Sequence, residues 1–80
     1  MHYVYIIRCS DNSLYTGWTT NLQNRIDAHN SGDGAKYTRG RLPVHLVYYE
    51  EYEDKGTALK REHSIKQLSH AEKLKLGCGT

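Results

Sequence analysis

Phenylalanine is absent from the 80 residues, and there are only one proline, one methionine, one tryptophan and two cysteines. Two cysteines are too few for a disulfide scaffold, and Cys9 and Cys78 stand at no metal-binding spacing. Long apolar runs are missing as well. No stretch reaches bilayer-spanning length, and no signal-peptide pattern opens the chain, so a cytoplasmic protein without membrane contact is expected. Neither sign of charge dominates: 11 Lys and Arg against 9 Asp and Glu leave a formal +2. So small an excess allows an acidic partner without requiring one, and only clustered cations would point to it.

Tyrosine is what the chain has, seven of them. A phenol buries an aromatic body but needs a partner for its hydroxyl, which suits a wet, functional surface. The hydrophobic share of 38% excludes a disordered chain. A chain this short makes one domain, close to the lower size at which a single core suffices. That domain is expected to span residues 1–80, with a mobile "GCGT" tail.

"YVYIIRC", Tyr3 to Cys9, is β-branched and aromatic with apolar residues on both faces, the pattern of a central, covered strand. Asp11 and Asn12 supply a turn, and "LYTGW" returns as a second strand. Gly17 inside that strand marks a bend or a close backbone approach. Thr20 and Gln23 have the spacing of a capping box opening a first helix, which Gly32 and Gly34 end. A loop, "GDGAKYTRGRLP", leads to a third strand, "VHLVYYEEY". A second helix is expected from about Lys55 to Gln67, and a Ser69–Glu72 capping box opens a short last helix through about Leu76. The order ββαβαα predicts an α+β fold, helices flanking a small antiparallel sheet.

The first helix carries an anomaly. Its inward stripe from Leu22 continues with Arg25, Ile26 and His29, so two of four positions are ionisable. The second helix repeats it: Glu62 lies between Leu59 and Ile65 at spacings of three, beside Ala58. Tyr5 on the first strand and Tyr15 on the second add phenols. Singly, each has a structural explanation. Arg25 can snorkel, His29 can bond a carbonyl, and Glu62 can pair with Lys66 at i+4. Together, a Tyr, Arg, His and Glu set converging on one concave surface at a sheet edge has the makings of acid–base chemistry on an anion.

The ordered set "YVYII", "LYTG", "NLQNRIDAHNSG" and a distant "KREHSIK" resembles the GIY-YIG nuclease family, and within it the YhbQ-like branch of small single-domain proteins. The likeness covers nearly the whole chain, "GAKYTRGR" included. It implies a three-stranded antiparallel sheet flanked by helices and metal-dependent hydrolysis of nucleic-acid phosphodiesters. Tyr5 stands at the tyrosine of the first motif, and Tyr15 and Gly17 at the ends of the second. Arg25 and Glu62 match the catalytic arginine and the metal-binding glutamate, and His29 a histidine of several branches. Two departures stand out: Tyr3 replaces the first motif's glycine, and the C-terminal asparagine of some members is missing.

The implied chemistry suits these residue types. Arg25 offers a planar fork to phosphate oxygens. Mg²⁺ or Mn²⁺ accepts one carboxylate with water and phosphate oxygens, so Glu62 suffices as its protein ligand. Tyr5 or Tyr15, with His29, takes the proton of the attacking water; the choice between the tyrosines stays open. Lys36, Arg39 and Arg41, with Tyr37 among them, are expected to hold flanking phosphates or stack on a base. DNA is the expected substrate, RNA and branched nucleic acid are further ones, and a protein partner is the expected source of specificity. The alternative is a nucleic-acid-binding or interaction module with weak cleavage or none.

Overall fold

Val4, Tyr5, Ile6 and Ile7 are fully buried in one run, which only a strand covered on both faces allows. In the computed structural model, which describes residues 1–78, this strand is β1 (His2–Arg8). It lies between β2 (Leu14–Thr19) and β3 (His45–Tyr52), and both pairings are antiparallel. Three helices complete the chain: α1 (Leu22–Asn30), α2 (Lys55–Lys66) and α3 (His70–Cys78). The expected α+β architecture in the order ββαβαα is the one observed.

Side chains alternate along a strand, and the two faces of β1 therefore serve different helices. Val4 and Ile6 pack with Ala58 and Ile65 of α2, while Tyr5 and Ile7 pack with Leu22 and Ile26 of α1. Glu50 fastens α2 to β3. Its carboxylate accepts Arg61 Nε at 2.9 Å and Arg61 Nη2 at 3.0 Å, and the hydroxyls of Tyr48 and Tyr52 as well. None of the helices among the described residues is long and apolar enough to cross a membrane.

Local structure departs from expectation in four places. The N-cap of α1 is Asn21, whose side chain accepts from the Asn24 amide at 3.1 Å, and Gln23 instead donates to Asp27 at 2.9 Å. Asn is a strong cap, and moving one position along preserves the three-residue spacing that Thr20 and Gln23 suggested. The Ser69–Glu72 box does form, with reciprocal bonds of 2.9 and 3.2 Å, but α3 then runs on through Cys78. Of the expected mobile tail, Gly79 and Thr80 lie outside the described residues. Cys9 follows β1 rather than ending it, and is buried. The basic loop contains a 3₁₀ turn, Lys36–Thr38. Its exit is tied to the end of α1, where Asn30 bonds both the amide and the carbonyl of Val44.

Candidate active site

Tyr5 is the hub. Its ring crosses the α1 side of the sheet toward the edge strand β2, and its hydroxyl meets two side chains of α1. His29 Nε2 lies 2.9 Å from it, and Arg25 Nε donates to it at 3.3 Å. His29 Nδ1 in turn lies 2.8 Å from Thr38 Oγ1. Tyr5, His29 and Thr38 are fully buried, whereas Arg25 and Tyr15 are half-buried and reach the surface. The ionisable stripe of α1 is thus a built network: the helix spends core positions to hold Arg25 at the rim.

Burial is the largest influence on Tyr5 and raises its pKa, helped by the charges of Tyr15 and Glu62 and opposed by the hydrogen bond and charge of Arg25. Tyr5 therefore stays a phenol that can donate. Burial, with the Arg25 charge, pushes His29 below its ordinary value, so it is a neutral imidazole at neutral pH. The hydrogen bond to Tyr5 raises Arg25 against the lowering by burial, so the guanidinium stays charged.

Two glycines make room for this network. Gly17 pairs with Tyr5 across the β1–β2 ladder, and a Cβ there would meet Tyr5 Cζ at 2.6 Å and the hydroxyl closer still. Gly34 lies against His29, where a Cβ would fall 2.7 Å from both Cα and Cγ. The first is the close approach that a glycine inside a strand signals.

The basic loop is more engaged with the site than its composition suggests. Tyr37 stacks on Tyr15 with centroids 5.7 Å apart, and Tyr15 meets His29 edge-on at 5.5 Å. Arg41 covers the Tyr37 ring at 4.3 Å, and its Nε donates to Asp11 at 3.0 Å. Tyr37 thus has one neighbour in Tyr15 and another in Arg41, and Arg41 is already paired. Lys36 and Arg39 are exposed.

The five expected site residues divide. Tyr5, Tyr15, Arg25 and His29 gather on one side of the sheet. Glu62 belongs to α2, which covers the other side and packs on β1 and β2. Its side chain is 18% exposed and pairs with Lys66 at 3.4 Å. Its charge is nonetheless among those that raise Tyr5, so it is electrostatically coupled to the cluster. As to a metal, no group of three or more His, Cys, Asp or Glu among the described residues could hold an ion alone. A hard divalent ion that takes one carboxylate and fills its shell with water and phosphate oxygens makes no such demand, and Glu62 fits it.

Thr38 was missed by sequence reasoning, which read Gly34 only as a helix end and Asp11 only as a turn residue. Thr38 had a signal only in hindsight: an inward His needs a partner for each ring nitrogen.

Comparison with known proteins agrees with this fold. The model of the GIY-YIG catalytic domain matches residues 1–75. The UPF0213 protein CPE1444 of Clostridium perfringens is 62% identical over 76 residues, covering 95% of this chain and 82% of its own length. The UPF0213 protein NP_0776A of Natronomonas pharaonis is 55% identical over 75 residues, covering 94% of this chain and 88% of its own. Among solved structures, the solution NMR structure of the UPF0213 protein BH0048 from Bacillus halodurans superposes with a TM-score of 0.60 at 49% identity, covering 94% of this chain and 80% of that one. That of EF2693 from E. faecalis gives 0.61 at 42% identity, covering 90% and 77%.

Proposed function

The chain belongs to the GIY-YIG family, and from that premise we propose that it is a metal-dependent endonuclease hydrolysing nucleic-acid phosphodiester bonds, those of DNA above all. The observation that carries this reading is the Arg25 guanidinium, held at the surface by a buried tyrosine and histidine. A charged fork anchored from behind is what a phosphodiester gaining negative charge needs.

In this reading Arg25 binds the scissile phosphate. Tyr15, the phenol that reaches the surface, is the one the attacking water meets. Tyr5 and His29 act from behind, Tyr5 holding Arg25 and His29 holding Tyr5. Glu62 would hold Mg²⁺ or Mn²⁺. When bound, such an ion supplies positive charge to the leaving oxygen. Lys36 and Arg39 would carry the flanking phosphate contacts, with Tyr37 and Arg41 adding only their outer edges. RNA and branched nucleic acid share the phosphodiester and stay within the substrate range, and a protein partner would add the specificity that a site this small lacks.

One observation favours the second reading, a nucleic-acid-binding module without cleavage: Arg25 and Glu62 stand on helices that cover opposite faces of the sheet. A single panel separates the two. Purified protein is incubated with Mg²⁺ or Mn²⁺, and with chelator, on single-stranded, duplex and branched DNA and on RNA. The nuclease reading expects cleavage that needs the metal and falls about 10²–10³-fold in Arg25→Ala, the usual cost of removing one donor to a developing oxyanion. Binding without cleavage selects the module. Neither binding nor cleavage overturns both.

A further inference from the structure

A continuous chain of hydrogen bonds runs inward from Arg25. Arg25 Nε meets Tyr5 Oη at 3.3 Å, Tyr5 Oη meets His29 Nε2 at 2.9 Å, His29 Nδ1 meets Thr38 Oγ1 at 2.8 Å, and Thr38 Oγ1 meets the Ala35 carbonyl at 2.9 Å. Only the two ends have a fixed direction. A guanidinium can only donate, and a carbonyl can only accept.

Those ends settle the middle. Thr38 has one hydroxyl proton, and the Ala35 carbonyl takes it. Its oxygen must then accept from His29, which places the imidazole proton on Nδ1. Nε2 is left with a lone pair, and the Tyr5 hydroxyl donates into it. Tyr5 Oη keeps its own lone pair for Arg25. Every proton in the chain has an acceptor.

The other tautomer fails this count. With a proton on Nε2, Tyr5 Oη would face two donors, Arg25 and His29, and its own proton would have no acceptor among the described residues. A buried hydroxyl proton without an acceptor is costly. The Ala35 carbonyl gives no reason to tolerate that cost, because it also accepts the Thr38 backbone amide at 3.0 Å and stays bonded either way.

We infer that Thr38 is a positioning residue of the site: by accepting from His29 Nδ1 it fixes the neutral imidazole with Nε2 toward Tyr5, and so orients Tyr5 to hold Arg25. The loop that looked like a nucleic-acid clamp is therefore also a wall of the site, and Gly34 lets it close on His29. The catalytic consequence rests on the nuclease reading; the tautomer does not.

The test is long-range ¹H–¹⁵N NMR of the imidazole nitrogens in wild type, Thr38→Val and Thr38→Ser, with amide spectra and melting curves as checks on folding. Valine keeps the branched shape and loses only the hydroxyl; serine keeps the hydroxyl. Wild type and Thr38→Ser should show His29 protonated at Nδ1. Thr38→Val should leave the His29 Nδ1 proton without its acceptor, moving its resonance upfield and speeding its exchange with water, and leave the other four histidines unchanged. Cleavage should fall on the order of 10–100-fold in the valine variant, as when an outer partner of a functional group is removed, and return in the serine variant. Wild-type His29 protonated at Nε2 overturns the inference, even if the valine variant fails to fold. So does a valine variant whose His29 Nδ1 resonance and exchange match wild type, or one that loses this bond and cleaves normally. A correct tautomer in a protein that cuts nothing supports the assignment and sinks the nuclease reading alone.

Discussion

Gly17→Ala probes the close approach on which the site depends. The added methyl would lie 2.6 Å from Tyr5 Cζ and nearer the hydroxyl, and Tyr5 is fully buried, so the ring has no free space to enter. Overpacking of this kind costs about 1–3 kcal/mol. A displaced ring also loses its bonds to His29 and Arg25, each worth about 0.5–1.5 kcal/mol net. The combined loss is about 2–6 kcal/mol, a large share of the roughly 4–12 kcal/mol expected for a domain of this size. Thermal unfolding followed by circular dichroism should therefore show a melting point lower by at least about 8 °C. The double-mutant comparison isolates the cause. In a Tyr5→Leu background the ring and its bonds are already gone, so Gly17→Ala should cost less than about 1 kcal/mol, leaving a coupling above the usual error of additivity. A Gly17→Ala protein that melts with wild type, or one whose loss is the same in both backgrounds, would refute the reasoning.

Two further outcomes follow from the charges. Burial pushes the Glu50 carboxyl up, but hydrogen bonds from Arg61, Tyr48 and Tyr52 and the Arg61 charge outweigh it and hold Glu50 below its ordinary 4.5. For a carboxyl depressed in the folded state, the stabilisation is complete above the unfolded value and is lost as pH falls through the folded one. Glu50→Gln should thus melt below wild type at neutral pH by the equivalent of about 1.5–3 kcal/mol, and the gap should close as pH falls below about 4.5; a constant gap would remove Glu50 from the account. If Lys36 and Arg39 contact phosphates, Lys36→Ala and Arg39→Ala should each reduce the slope of log affinity against log salt by about 1, as measured by fluorescence anisotropy with a short duplex; unchanged slopes would confine the loop to its packing role.

How much of this was legible in sequence follows from the range of each interaction. β1 was readable because its run of β-branched and aromatic residues is local, and its apolar faces implied a central position. The arginine and histidine in the α1 stripe were readable because a helix repeats over one turn. Thr38 was not, because its partner lies nine residues back across a loop closure that no periodicity describes. Asp11 and Arg41 pair across thirty positions, so three loop cations looked alike when one was already engaged. The α1 cap was misplaced by one residue because Thr20 and Asn21 are both competent caps, and only the backbone decides between them. Alternation along β1 separated Tyr5 from Val4, but which helix each face would meet is a matter of topology, so that Arg25 and Glu62 stand on helices covering opposite faces of the sheet was not legible.

Glu62→Gln tests the central claim most directly, with cleavage rate and melting point measured side by side on wild type and variant in Mg²⁺ and in Mn²⁺. Glutamine keeps the shape of a side chain only 18% exposed and removes the charge that a hard divalent ion requires. The pair with Lys66 is worth about 0.3–0.5 kcal/mol, so the melting point should move by no more than a few degrees. Cleavage is expected to be lower by orders of magnitude in the variant, with binding retained and little rescue by excess Mn²⁺. Cleavage unchanged in Glu62→Gln would contradict the metal role, and a wild-type protein that cleaves no nucleic acid with either metal would contradict the nuclease itself.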